Sequence, residues 1–402
     1  MSSNTPARSV TMRNLTTTST YTLDTLARRA PATDDLLKVA DWLGANGSHH
    51  LSPIARIELA ERVITRRRFL IGAGALGLGA IVGCGADEQA GAPTATPETR
   101  ATRVIEGANG PIEVPAQPQR VVALADLING YALASLGFDK LVAIGSSGES
   151  DPLARLKAYG QLPDGIPSAD IGAWTEPNIE AIAALRPDLI IGTDTNHAPI
   201  YEQLRQIAPT VLVPETISFD DKVPFAGQRF VARVVGIEAA LDARLDAYQE
   251  RLGTLQAPLK AQLNGVRYTW IDVYGPNDVY VSRTTVAPGS LVLRDLGAVR
   301  SPTTNQPAFG EAPWPQISIE LIPSVDADVI FVGYGLLPEE NLANKDQLDQ
   351  LLAATTAGKA EQVFRVRYEA WGFPLVEGLF IVLSDLETML AGRTLTRSEK
   401  FN

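Results

Sequence analysis

Cysteine is all but missing: Cys84 is the only one in 402 residues. An intrachain disulfide is excluded, so the fold must rest on its apolar core. Histidine is nearly as scarce, with His49, His50 and His197. His197 alone lies beyond Cys84, so no histidine cluster of the transition-metal kind can be built there. Long apolar runs are missing too. Phe69 to Gly83 runs fifteen residues without a charge, short of the roughly 20 that a membrane-crossing helix needs. Basic charge is short where it would matter. The first 83 residues hold 10 of the 35 basic and 6 of the 46 acidic residues, so residues 84–402 carry 25 against 40. A nucleic-acid footprint needs a basic face, so no nucleic-acid partner is expected. A nucleophile elbow, a histidine triad and a cysteine pair are also absent.

What is present is organised around residues 65–84, TRRRFLIGAGALGLGAIVGC. A basic head precedes an apolar core of signal-peptide length. Arg66 and Arg67, with Phe69 and Leu70, resemble a twin-arginine export signal. Ile81-Val82-Gly83-Cys84 resembles a lipobox, whose cysteine receives a diacylglycerol. The two patterns stand in the right order and at the right distance. Gly72, Gly74 and Gly77 match GxGxxG formally, but a basic cluster precedes them and no strand-turn-helix unit surrounds them. A buried structural cysteine is the plainer reading of Cys84. Its place at the end of the apolar run favours lipidation. Upstream, residues 1–20 are Ser/Thr-rich and are expected to be disordered. Residues 34–43 and 53–64 carry helical spacing. Residues 1–64 form an extension of open status: either translation starts downstream of Met1, or the lead-in acts in the cytoplasm before cleavage.

Residues 85–102 are small, polar and proline-containing, and read as a flexible tether. A hairpin is then expected over 103–105 and 112–114, and a buried strand over 120–124. Helices and strands alternate to residue 213, which argues for a parallel sheet covered on both faces. Residues 237–263 are predicted as one long helix of about 40 Å, with Gly236 breaking the run before it. Alternation resumes afterwards and closes with a helix over 375–390. The boundaries that follow are an N-terminal lobe at 103–236, a linking helix at 237–263 and a C-terminal lobe at 264–402.

Two stretches echo each other at an offset of 140 residues. Asn178-Ile179-Glu180 precedes Asp188-Leu189-Ile190-Ile191, and Ser318-Ile319-Glu320 precedes Asp328-Val329-Ile330-Phe331. In each, a polar residue suited to capping opens a helix, and a buried strand closes the unit. Similar αβ units also arise by chance, but these two fall on opposite sides of the long helix and suggest two similar lobes.

These residues carry a family resemblance. PNIEAIAALRPDLII at 177–191, GPIEVPAQPQRVVAL at 110–124, LASLG at 133–137, GSLVL at 289–293 and residues 317–331 resemble the ferric-siderophore and cobalamin type of substrate-binding protein of bacterial ABC importers. The resemblance covers nearly all of 103–402. It implies an α/β fold of two similar lobes with largely parallel central sheets, one linking helix, small lobe motion and a ligand cleft between the lobes. It also implies a lipid-anchored extracytoplasmic receptor that feeds a permease dimer with its ATPase. No catalytic role, resident cofactor or bound metal is expected, and the protein is expected to be a monomer tethered to the membrane through Cys84.

Ligands of open αβ sheets bind beyond the carboxyl ends of the strands. In the first lobe that places Asp126, Ser146, Ser147, Trp174, Thr193, Asp194, Asn196 and His197 near the cleft. In the second it places Tyr274, Arg283, Tyr334 and Trp371. Trp174, Tyr274, Arg283, Tyr334 and Trp371 are the expected ligand contacts, since aromatics and arginine suit a bulky, partly aromatic, anionic iron chelate. Each aromatic is as readily a packing residue. The resemblance further implies that Glu180 and Glu320 dock to arginine pockets on the permease, although a glutamate in a first helical turn is also favoured by the helix dipole. Haem, with His197 or a tyrosine as axial ligand, and cobalamin stay open as cargo. An exported αβ enzyme is the rival class, since fold does not fix function.

Overall fold

The computed structural model describes residues 9–14, 17–22, 28–31, 36–43, 63, 101–147, 153–167, 169–218, 223–275, 278–335 and 343–398. The export signal, Cys84 and all of the expected helix at 53–64 except Val63 lie outside the described residues. The chain divides into a unit at Met1–Thr99 and a unit at Arg100–Asn402.

In the first unit, β1 (Ser9–Asn14) and β2 (Thr17–Thr22) form an antiparallel ladder with Ser9 opposite Thr22 and Asn14 opposite Thr17. This corrects the expectation of disorder for residues 9–14 and 17–20; the rest of 1–20 lies outside the described residues. Threonines and Val10 suit an extended backbone, and that preference outweighs low hydrophobicity here. The expected helix at 34–43 is present as Leu36–Leu43.

The second unit opens on the expected hairpin, β3 (Thr102–Gly107) against β4 (Gly110–Pro115). The N-terminal lobe follows with β5 (Val121–Ala123), β6 (Leu141–Ile144), the short pair β7 (Gly172–Ala173) and β8 (Glu176–Pro177), β9 (Leu189–Thr193) and β10 (Thr210–Val213). Its main sheet runs in the order β10-β9-β5-β6, parallel throughout. Every residue of β5, β9 and β10 is buried, as continuous apolar strands covered on both faces require. Apolar clusters fill both sides, one around Val121, Leu133, Ile191 and Val231, the other around Val122, Ile182, Ile190 and Leu204.

The helix Ala226–Val235 ends at Gly236, whose φ of 84° is left-handed. Glycine takes that conformation without steric cost and so stops the helix. The linking helix follows at once, Glu238–Leu263, 26 residues long. It matches the expected span, and Pro258 is accommodated inside it.

The C-terminal lobe contains β11 (Arg267–Gly275), β12 (Asp278–Val281), β13 (Val299–Arg300), β14 (Gln316–Ile317), β15 (Val329–Tyr334) and β16 (Val363–Val366). The sheet order is β14-β12-β11-β15-β16, with β13 also on β11. Here the sheet is mixed. β15 and β16 run parallel to β11, while β12 is antiparallel to it and to β14. A two-residue connection between β11 and β12 leaves no room for a crossover and forces a hairpin.

The closing helix, Glu377–Leu390, packs on the linking helix, and Arg244 of the latter forms an ion pair with Glu377. Just before it, Leu375 enters the apolar cluster of the N-terminal lobe and Phe373 packs against that cluster. The N–H of Val376 donates to the side-chain oxygen of Gln228 at 2.9 Å. The Gln228 amide nitrogen donates in turn to the Ala132 carbonyl at 3.1 Å and the Ser135 hydroxyl at 2.9 Å. The lobes are therefore joined twice, by the linking helix and by this inserted segment.

Candidate functional site

A cavity of about 510 Å³ opens between the lobes. The N-terminal lobe supplies Ile217, Val223, Phe225 and Ala226, all apolar. The C-terminal lobe supplies Tyr274, Tyr280, Tyr368, Trp314, Thr284, Val286 and Asp278, with Phe373 and Pro374 from the inserted segment.

The strand geometry explains this wall. Tyr274 is near the carboxyl end of β11, and Tyr368 lies two residues past the end of β16. Because β12 returns as a hairpin, Asp278 pairs with Gly275 and Tyr280 with Asp272, so both arrive beside the end of β11. The rings meet edge to face in a row. Tyr280 and Tyr274 have centroids 5.3 Å apart, Tyr274 and Tyr368 5.2 Å, and Tyr368 and Phe373 5.3 Å, with planes at 76–84°. That is the favoured aromatic packing. The Tyr274 and Tyr368 hydroxyls are hydrogen-bonded to each other. Burial pushes both phenols well above their ordinary value, so they stay neutral and keep protons to donate.

Behind this row lies Asp272, with no exposed surface. One carboxyl oxygen accepts from the Trp270 indole at 2.7 Å. Burial pushes the carboxyl up to about 8. Trp270 and Trp371 cross edge to face with centroids 5.9 Å apart. They lie against Gly289, where a Cβ would sit 2.6 Å from Trp371. At one flank of the interface, Arg155 of the N-terminal lobe forms an ion pair with the buried Glu369 of the C-terminal lobe. Burial holds the Glu369 carboxyl above its ordinary range, against the pull of Arg155.

Of the five expected ligand contacts, Tyr274 lines the cavity. The other four stand elsewhere. Trp371 is corrected to a core residue. Its side chain is wholly buried, its indole donates to Asp385 at 2.9 Å, and Phe331 packs on it at 4.9 Å. Arg283 turns away, its guanidinium donating to the carbonyls of Gly310 (2.8 Å) and Ala312 (3.0 Å). Tyr334 packs on the C-terminal core with the Arg365 guanidinium 5.8 Å from its ring. Trp174 is half-buried in the connection between β7 and β8, and its N–H donates to the Ser146 carbonyl at 2.9 Å.

The expected first-lobe polar residues also do structural work. Asp126 accepts from the N–H groups of Leu127 (2.6 Å) and Ser147 (2.9 Å). His197 is fully buried, and its Nδ1 accepts from the Thr193 N–H at 2.9 Å. Burial pushes it below its ordinary value, so it is a neutral packing residue and does not line the cavity. Sequence reasoning missed Tyr280, Tyr368, Trp314 and Phe225. Tyr280 and Tyr368 were within reach of the strand-end rule. Trp314 lies in an irregular stretch and gave no signal.

Glu180 and Glu320 are both exposed. Glu180 is in the first turn of the helix Ile179–Ala184, which Asn178 caps by accepting from the Ala181 N–H at 3.0 Å. Glu320 lies in the first turn of the expected helix, which is a 3₁₀ helix, Ile319–Val325. Ser318 does not cap it. Its hydroxyl bonds to the Glu320 carboxylate instead, which holds that carboxyl below its ordinary value.

Comparison with known proteins identifies the class. Residues 130–370 match the family described as periplasmic binding protein, and the chain belongs to that family. The probable siderophore-binding lipoprotein YfiY of Bacillus subtilis is 30% identical over 301 residues, which is 71% of this chain and 87% of that one. The iron(3+)-hydroxamate-binding protein FhuD of the same organism is 26% identical over 258 residues, covering 64% and 76%. Among solved structures, a siderophore periplasmic binding protein from the fuscachelin gene cluster of Thermobifida fusca is similar with a TM-score of 0.51. It is 27% identical, over 70% of this chain and 99% of that one.

Proposed function

We propose that this chain is an extracytoplasmic, lipid-anchored receptor that binds a ferric siderophore between its lobes and delivers it to an ATP-driven import permease. One observation carries the reading: an aromatic cavity, at a size usual for small-molecule sites, lies between two αβ lobes in a periplasmic binding protein. The relatives whose names specify siderophores or ferric hydroxamates support the cargo class. The two ties between the lobes suit a receptor that closes little. The test is calorimetric titration of the full chain with ferric and iron-free siderophores. Saturable one-to-one binding of a ferric chelate supports the reading, and no binding by any ferric chelate overturns it.

The anchor and the route rest on sequence. Arg66 and Arg67 fit twin-arginine export, and Cys84 fits lipidation. Cys84→Ala is expected to leave an uncleaved or mislocalised precursor, and mass spectrometry of the membrane-bound protein checks it. An unmodified N-terminus upstream of Arg66 would contradict it. Delivery rests on Glu180 and Glu320. They are exposed carboxylates at matching places in the two lobes, which suits a partner of near two-fold symmetry offering arginines.

A further inference from the structure

We infer that the cavity selects ferric chelates that carry no net negative charge, the trihydroxamate class. This rests on the siderophore reading above and narrows it. Three singly charged hydroxamates cancel the charge of ferric iron, and a pendant ammonium makes the complex cationic. Three doubly charged catecholates leave a trianion, and ferric dicitrate is anionic as well.

Among the described residues, the wall offers no cation to compensate a buried anion. Among the described residues, no lysine, arginine or histidine lines the cavity. The arginines next to lining positions are already engaged. Arg283, adjacent to Thr284, is bound to the Gly310 and Ala312 carbonyls. Arg367, adjacent to Tyr368, is paired with Asp385. Arg155, at the flank, cannot be recruited cheaply, because leaving Glu369 would strand a buried carboxyl without its partner.

Among the described residues, the one charged lining group, Asp278, has the wrong sign for an anion. The Asp278 carboxylate stands at the rim, held by the Gln316 amide at 2.7 Å. It repels anions and attracts an ammonium, and the aromatic faces add cation–π attraction. The Tyr274 and Tyr368 hydroxyls, bonded to each other, keep one proton between them to donate, and a hydroxamate oxygen accepts it, while the Tyr280 hydroxyl donates to Asp278 at 3.4 Å. Phe225 and Val286 give the methylene arms apolar contact.

The experiment is calorimetric titration of the full chain with four probes at neutral pH. These are a cyclic neutral ferric trihydroxamate, a linear ferric trihydroxamate with a free ammonium, a ferric tris-catecholate and ferric dicitrate. Both trihydroxamates are expected to bind at least about 100-fold more tightly than either anionic chelate, since burying an uncompensated charge costs several kcal/mol. Asp278→Lys is expected to reverse the rim charge, raising affinity for ferric dicitrate about tenfold and lowering it for the ammonium-bearing probe. An anionic chelate that binds as tightly as the trihydroxamates overturns the charge selectivity and leaves the siderophore reading standing. Failure of all four probes overturns both.

Discussion

The two lobes share one anchoring device. In the N-terminal lobe, Asp188 accepts from the N–H groups of Gln119 and Arg120, both at 2.8 Å. In the C-terminal lobe, Asp328 accepts from the N–H groups of Arg267 (2.9 Å) and Ser398 (2.6 Å). Each aspartate thus ties the start of its own strand to the start of the parallel neighbour. The registers match as well, with Leu189 opposite Val121 and Val329 opposite Tyr268. The lobes differ at the other strand ends. The N-terminal lobe presents an apolar wall from Ile217, Val223, Phe225 and Ala226, after its last strand, while the mixed C-terminal sheet brings a hairpin and its tyrosines to the cavity. A shared scaffold fixes the strands, and the antiparallel addition in one lobe brings tyrosines to the cavity wall.

The largest expected effect separates the core of the C-terminal lobe from its cavity wall. Trp371→Ala should cost about 3–5 kcal/mol of stability, the range for a buried aromatic, read by denaturant unfolding. A small loss would mean that Trp371 is not the core residue described. Next comes the difference between the walls. Tyr280→Ala should weaken binding of a ferric chelate by about 1–3 kcal/mol, as aromatic stacking contacts do. Ile217→Ala in the opposite wall should cost less, about 1 kcal/mol. Equal losses would erase the asymmetry.

The shared anchor gives a matched pair. Asp188→Ala and Asp328→Ala should each destabilise by about 1–3 kcal/mol, because each strands two backbone donors. Thermal unfolding of the two variants checks whether the devices are equivalent. A pH series sharpens the contrast further, since Asp272 of the C-terminal sheet holds its proton up to about 8. The unfolded chain sheds that proton near the ordinary carboxylate value. Stability should therefore fall as pH rises from about 4 to about 8, and level off above it. Asp272→Asn keeps an oxygen for the Trp270 indole and has no proton to lose. Its gain in Tm over wild type should grow between pH 5 and pH 8, and a constant difference would contradict the assignment. The smallest effect on stability belongs to the docking pair. Glu180→Lys with Glu320→Lys should leave the fold and ligand affinity intact and lower permease-coupled uptake. Wild-type uptake by the double variant would count against docking.

Much of the scaffold was legible because burial on both faces writes itself into the chain. Continuous apolar runs such as 189–191 and 329–332, each ending a unit that opens on Asn178 or Ser318, located the central strands. Gly236 marked the start of the linking helix because a left-handed φ stops the preceding one. The site was less legible. Trp371 and Tyr368 sit on the same short helix, Tyr368–Gly372, and only the helix rotation decides which faces the core. Aromatic side chains carry no label for that choice. Arg283 looked available because its partners are backbone carbonyls, which sequence does not display. The strand at 279–281 was legible but its antiparallel direction was not, because four residues of alternating pattern fit either direction equally well.

Whether the cavity between the lobes is the ligand site can be tested from the wall that the N-terminal lobe supplies. Ala226, in the N-terminal wall, is the place to test it, since it is only half-buried and starts a helix where a larger side chain need not disturb the core. Calorimetric titration of the full chain and of Ala226→Trp with a ferric trihydroxamate is the measurement. One-to-one binding by the wild type and none by Ala226→Trp is expected, with both proteins unfolding at similar temperatures. Undiminished binding by Ala226→Trp would contradict the cavity as the ligand site.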